Sequence, residues 1–250
     1  MKLRMLTASL ALAAGLGIAP ASQALDLGNL AGGLINLAKA ATLSDDDAKE
    51  LAFDAAQHMD SQNKIAPPNS PYAKRLARIV KGLNQEDGLA LNFKVYLTKE
   101  VNAFAMANGT VRVYAGLLDA MTDDEVRFVI GHEVGHVKLG HSKKAMQVAY
   151  TASGVRGLAA ASGNQAVAQL SASAIGGFAE ALVNAQFSQS QENEADTYSV
   201  GFMKRHNYPP AAAVSALRKL QALGDGASIL SSHPASSERA TKVESEIAKL

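Results

Sequence analysis

His132-Glu133-Val134-Gly135-His136, a five-residue stretch near the middle of the chain, decides how the rest of the sequence is read. On a helix, residues four apart are offset by about 40° around the axis and lie one turn apart. His132 and His136 therefore turn both imidazoles toward one point, where a zinc ion fits at about 2.0–2.1 Å from each nitrogen. Glu133 stands on the flank of that face, placed to take a proton from water without ligating the ion itself. A pair of core histidines beside a surface glutamate would spell the same five letters. The surroundings are what separate the two.

Upstream, Thr122-Asp123-Asp124-Glu125 has the form of a capping box and predicts a helix through roughly residue 139. The motif thus sits well inside a helix, flanked by the apolar Phe128, Val129 and Ile130. Before that helix, Phe93 to Leu97 alternates and Asn102 to Met106 is a second extended stretch. Asn108-Gly109 then makes a tight turn into Val111 to Tyr114. These stretches predict a small antiparallel sheet of about three strands beside the zinc helix.

Elsewhere the pattern is helical. Ser44 followed by three aspartates starts a helix to about Asn63, and Tyr72 to Leu83 has helical spacing. Further helices are expected over Gln189 to Arg205, Pro210 to Leu223 and Ser236 to Leu250. Little decides the structure of Leu25 to Thr42. Ala145 to Ala185 is rich in small residues and reads as a packed helical hairpin; Arg156, Asn164, Gln165 and Gln169 make membrane insertion costly. The class is α+β, mainly helical.

Two histidines leave a catalytic zinc site one protein ligand short. His141 follows His136 by five positions, about 140° round a continuous helix, so it points elsewhere and reads as a helix C-terminal residue near the negative dipole end. The metzincin spacing also fails, because Leu139 and Ser142 occupy its Gly and His positions. Gln191-Glu192-Asn193-Glu194-Ala195-Asp196 is the better source, since Glu192 and Asp196 share a helix face. A ligating carboxylate with a second one beside it suits zinc, the neighbour accepting the free N–H of a ligating imidazole. Taken alone the stretch reads sooner as a solvated acidic patch near a helix start; the zinc helix reverses the balance toward a ligand.

Composition narrows the classes further. The chain has 250 residues, 48% hydrophobic and 19% charged, a globular composition with room for one full core. Its formal charge of +1 offers no basic field for nucleic acid, and the absence of cysteine excludes disulfides, thiolate zinc sites and lipidation at an N-terminal cysteine. Lys2 and Arg4, the apolar run Leu6 to Ile18, Pro20 and Ser22-Gln23-Ala24 predict a signal peptide over residues 1–24, too short to span a bilayer. Residues 25–250 then form a single exported domain, with an N-terminal helical segment over 25–70 and a catalytic core over 71–250.

The pair His132-Glu133-Val134-Gly135-His136 and Glu192-Asn193-Glu194-Ala195-Asp196 resembles the M48 family of gluzincin zinc peptidases over roughly Pro71 to Arg239, closest to its soluble periplasmic members. The resemblance implies His132, His136 and Glu192 as ligands of one Zn²⁺, Glu133 as catalytic base and Asp196 as the acid behind a ligand. Asn102, Ala103, Phe104 and Ala105 resemble the edge strand where an extended substrate adds. Ser232-His233-Pro234 with Arg239 resembles the family's late His-Pro segment, implying that His233 or Arg239 serves the oxyanion, or that His233 closes the zinc site at rest. The implied function is a zinc endopeptidase of a Gram-negative periplasm acting on unfolded or misassembled polypeptides, with envelope or outer-membrane proteins as clients. The rival reading is a non-catalytic envelope chaperone or assembly factor with a closed zinc site.

Overall fold

The computed structural model describes residues 26–161, 183–224, 227–234 and 237–249, with residues 177, 179 and 181. The predicted signal peptide and most of the second arm of the predicted helical hairpin lie outside the described residues. Among those described, the order is α1 (Leu27–Thr42), α2 (Asp45–Gln62), α3 (Pro71–Ile79), β1 (Gln85–Glu86), β2 (Leu89–Ala90), β3 (Asn92–Tyr96), β4 (Ala103–Ala105) and β5 (Thr110–Tyr114). There follow α4 (Ala115–Ala120), α5 (Asp123–Lys138), α6 (His141–Ala161), α7 (Gln189–Arg205), α8 (Ala211–Leu223), α9 (Ile229–Ser232) and α10 (Ser237–Ile247). The mainly helical α+β expectation holds.

Local chemistry starts the long helices. Ser44, Thr122 and Ser188 each accept from the backbone N–H three residues on, and Asp47, Glu125 and Gln191 reach back to the cap N–H, so α2, α5 and α7 all open on capping boxes. At α3, Ser70 caps and Pro71 takes the first turn, where its missing N–H costs nothing.

The three-stranded sheet has the order β3-β5-β4, and here the antiparallel expectation needs correcting. β4 and β5 are antiparallel, joined through the Asn108-Gly109 turn, but β3 runs parallel to β5, with Phe93 opposite Val111 and Tyr96 opposite Tyr114. The reason is positional. The chain reverses between β3 and β4 and again at the turn, so β5 returns to the direction of β3, and with β4 on one side it pairs with β3 on the other. Gly109 has φ +83, and a Cβ there would lie 2.1 Å from the Ala90 carbonyl oxygen, so no other residue fits the turn.

β5 is buried along its whole length and anchors two cores. One lies between the sheet and α3, α5, α7, α8 and α10, around Leu83, Val113, Leu117, Phe128, Ile130 and Phe202. The other lies under α2, where Ala48, Ala52 and Ala55 meet Tyr96, Phe104, Tyr114 and Met146. Asp60 ties α2 to the sheet: its carboxylate accepts from Arg112 Nε and Nη2 (2.8 and 2.9 Å), Lys94 Nζ (2.7 Å) and the Tyr96 hydroxyl (2.8 Å).

The undecided stretch before Ser44 forms α1, capped by Asp26 and packed along α6. Among the described residues α1 lies along α6, while Ala179 and Val183 of the predicted second arm share a core cluster with Met146 of α6. No helix among the described residues is long and apolar enough to cross a membrane.

Candidate metal centre and active site

Two helices make the centre, and glycine lets them meet. A Cβ on Gly131 of α5 would stand 2.6 Å from both Ser199 Oγ and a Phe202 ring carbon of α7; one on Gly135 would stand 2.9 Å from the Tyr198 ring. The missing side chains allow α7 to lie directly on α5, and the Ser199 hydroxyl donates to the Phe128 carbonyl across the contact (2.6 Å). Glu192, in the first turn of α7, and Asp196, one turn later, are thereby delivered to the histidines of α5.

His132, His136, Glu192 and His233 each offer one donor atom, and these four atoms lie within 4.8 Å of one another, all on buried side chains. His136 Nε2 is 3.0 Å from His132 Nε2 and 3.3 Å from Glu192 Oε1. His132 Nε2 lies 3.6 Å from Glu192 Oε2. His233, on the segment after α9, places Nδ1 3.0 Å from Glu192 Oε1 and 3.2 Å from His132 Nε2. Its Nε2 is 3.4 Å from Glu133 Oε1.

A layer of partners orients these donors. His132 donates its Nδ1–H to Asp196 Oδ1 (2.9 Å), so its Nε2 is bare. Arg239 from α10 grips Asp196 through Nε and Nη2, both at 2.8 Å, and sets Nη1 2.6 Å from Glu192 Oε2. Burial alone would raise the Asp196 carboxyl, but the Arg239 and His132 hydrogen bonds hold it below the usual range. Glu192 behaves alike: burial opposes its charge, yet His136 and His233 keep it strongly acidic. For Glu133 burial prevails and raises the carboxyl, as a proton acceptor requires. Desolvation pushes the His136 imidazole well below its ordinary value, keeping it neutral and able to ligate.

The cluster fits a cation better than it fits itself. With the Nδ1 of His132 committed as a donor, its Nε2 faces His136 Nε2 and His233 Nδ1 at 3.0 and 3.2 Å, with the Glu192 carboxylate beside all three. Among the described residues, two buried side-chain atoms lack any aligned hydrogen bond: Glu133 Oε1 and Glu192 Oε2. Imidazole nitrogens with one carboxylate, closed off from solvent, form a donor set that suits zinc.

The sequence profile of Peptidase family M48 matches residues 71–247. The chain belongs to that family. It is 51% identical to metalloprotease LoiP of Escherichia coli over 82% of this chain and 82% of that protein, and 45% identical to metalloprotease YcaL of the same organism over 86% and 85%. A more distant relative is the mitochondrial metalloendopeptidase OMA1 of Schizosaccharomyces pombe, 27% identical over 80% of this chain and 60% of that protein. As an M48 member the chain is a zinc-dependent metalloendopeptidase, and its substrates are polypeptides.

The structure brings the motif residues His132, Glu133, His136, Glu192, Asp196 and His233 into one cluster. Arg239 engages Asp196, Glu192 and the Pro234 carbonyl through its guanidinium, beside the donors. Of the proposed substrate strand, Ala103, Phe104 and Ala105 form β4 at the sheet edge, whereas Asn102 stands just before it, buried, its side-chain oxygen accepting from the Ala103 N–H (2.8 Å). Phe104, Ala105 and Met106 line a cavity with Glu133, His136, Met146, Phe187 and His233.

Two residues escaped the sequence reading. Phe187 stacks on the His136 ring at 3.9 Å, and its N–H donates to the Ser232 carbonyl, joining the segment before α7 to the His233 segment. No local signal marks it. His141 was placed wrongly, for a reason that was visible: Gly140, at φ +77, ends the α5 helical path, and His141 opens α6 with its ring swung back to His136.

Proposed function

We propose that the chain is an exported endopeptidase of the bacterial cell envelope that cuts extended segments of unfolded or misassembled proteins, with His132, His136 and Glu192 as zinc ligands and Glu133 as general base. The observation that carries this reading is Glu133 Oε1, which accepts no aligned hydrogen bond, though His233 Nε2 lies 3.4 Å away, and is buried beside the convergent donors on the cavity that β4 borders. When bound, zinc supplies Lewis acidity toward the scissile carbonyl and toward water. Glu133 takes the proton of the attacking water and hands it to the leaving amine. Asp196, clamped by Arg239, keeps the Nδ1 proton on His132 and so keeps Nε2 available. β4 offers a strand edge on which an extended polypeptide adds by backbone hydrogen bonds, and the apolar wall of Phe104, Met106 and Met146 excludes water.

Export rests on the N-terminal sequence, with Lys2 and Arg4 ahead of an apolar run and a small-residue cleavage site, after which residues 25–250 act as one metallopeptidase domain. In a Gram-negative cell that placement would give it envelope proteins as clients. His233 favours a second reading: seated against His132 Nε2 and Glu192 Oε1, it closes the cluster, as a resting enzyme or a non-catalytic chaperone would. Incubating the purified mature chain with casein separates these. Cleavage that a chelator stops and added zinc restores is the expected result. A protein carrying one zinc per chain that binds casein without cutting it would leave only the chaperone.

A further inference from the structure

The two α5 histidines are backed in different ways. His132 leans on a buried carboxylate that Arg239 holds. His136 has no carboxylate behind it; its Nδ1 meets another imidazole, His141 Nδ1, at 3.1 Å. His141 is 6% exposed, and its Nε2 lies 3.3 Å from Glu194 Oε2, near the surface. Glu194 is itself steadied by the Ser190 hydroxyl (2.9 Å).

Tautomers follow from these contacts. A carboxylate accepts only, so His141 carries its proton on Nε2 and donates it to Glu194. His141 Nδ1 is then an acceptor, and the hydrogen it accepts is the Nδ1–H of His136. Nε2 of His136 is the nitrogen that faces the donor cluster, 3.0 Å from His132 Nε2 and 3.3 Å from Glu192 Oε1, and with an ion there the hydrogen of the neutral ring sits on Nδ1. Phe187, stacked on the same ring, limits its rotation from one face. We propose that His141 is a positioning residue of the metal centre: it accepts from His136 Nδ1, selects Nε2 for the ion, and is itself set by Glu194 at the surface. A side chain of equal bulk without an acceptor would fill the space and strand the His136 N–H.

This inference rests on His136 being a zinc ligand, so the test carries a control for that reading. Zinc dissociation constants, from competition with a chromophoric chelator, are measured for the wild-type chain and for His136→Ala, His141→Ala and His141→Asn, with the melting temperature of each apo-protein. The absorption spectrum of each cobalt-loaded protein reports the geometry of the ion. The Asn side-chain oxygen occupies the place of the imidazole Nδ1 and can accept the same hydrogen. His141→Ala is expected to weaken zinc binding by about 10–100-fold and to alter the cobalt spectrum, and His141→Asn to restore most of both. If His141→Ala does not fold, His141→Phe replaces it as the acceptor-free partner of the Asn variant.

Zinc affinity unchanged in His136→Ala would sink the ligand reading itself. With His136→Ala impaired, two results overturn the present inference alone: wild-type affinity and spectrum in the acceptor-free variant, or equal weakening in the acceptor-free and Asn variants.

Discussion

Two helix pairs in this molecule are packed by the same device and end in different chemistry. On α5, Gly131 and Gly135 let α7 approach; between α1 and α6, Gly33, Gly154 and Gly157 play the same part, a Cβ on Gly33 falling 2.8 Å from the Gly154 carbonyl oxygen. The α5–α7 seam is bordered by His132, His136, Glu192 and Asp196, all buried. The α1–α6 seam holds Leu37 and Leu158 and an Asn36–Ser153 hydrogen bond, while Leu34, Ile35, Val148 and Val155 face outward. Close backbone approach is thus a matter of packing; what it brings together decides whether a site results.

The largest effect should come from removing the chemistry while keeping the packing. Glu133→Gln changes one atom of a side chain outside the set of metal donors, so zinc should stay and casein cleavage should fall by about 10²–10⁴-fold. Metal analysis and a peptide assay on the same preparation check both halves. Next come the glycines. Gly131→Ala forces a methyl against Ser199 and Phe202, which should cost about 1–3 kcal/mol and weaken zinc binding, because Glu192 and Asp196 retreat with α7. Gly33→Ala meets backbone on α6 and should cost a similar amount, again about 1–3 kcal/mol, with zinc affinity at the wild-type value. Denaturant melts with parallel zinc titrations would break the comparison if both variants lost zinc equally.

A smaller effect concerns α2, whose hold on the sheet is electrostatic. Burial works against the Asp60 charge, but Arg112, Lys94 and Tyr96 lower its carboxyl to about 2. Because the folded value is depressed, its contribution is complete above the ordinary 3.8 and fades as pH falls toward 2. The stability of Asp60→Asn should therefore change less with pH than that of the wild type across that window, as acid titrations followed by circular dichroism would show.

Much of the centre was legible because it is written locally. Helical periodicity puts His132 and His136 on one face, and the same rule separates Glu192 and Asp196 from Glu194, whose side chain is indeed half exposed and away from the donors. Capping chemistry marked the starts of α2 and α5 for the same reason. What the reading missed is set at a distance. The parallel pairing of β3 comes from its lying beside β5, two chain reversals later, rather than beside β4. α1, with Gly28, Gly32 and Gly33, lacks strong intrinsic helix preference and gains its order from α6. His141 was misjudged by carrying a helical wheel through Gly140, where the backbone leaves the right-handed region. Gly131 and Gly135, four apart and each one place before a histidine, were a readable sign of a close neighbour.

Diffraction from crystals of the zinc-loaded chain, collected at the zinc absorption edge, tests the central claim most directly. One anomalous peak should lie within about 2.0–2.2 Å of Nε2 of His132, Nε2 of His136 and a carboxylate oxygen of Glu192. A peak bound elsewhere, or one touching both imidazoles while the Glu192 carboxylate stays out of bonding range, would contradict it.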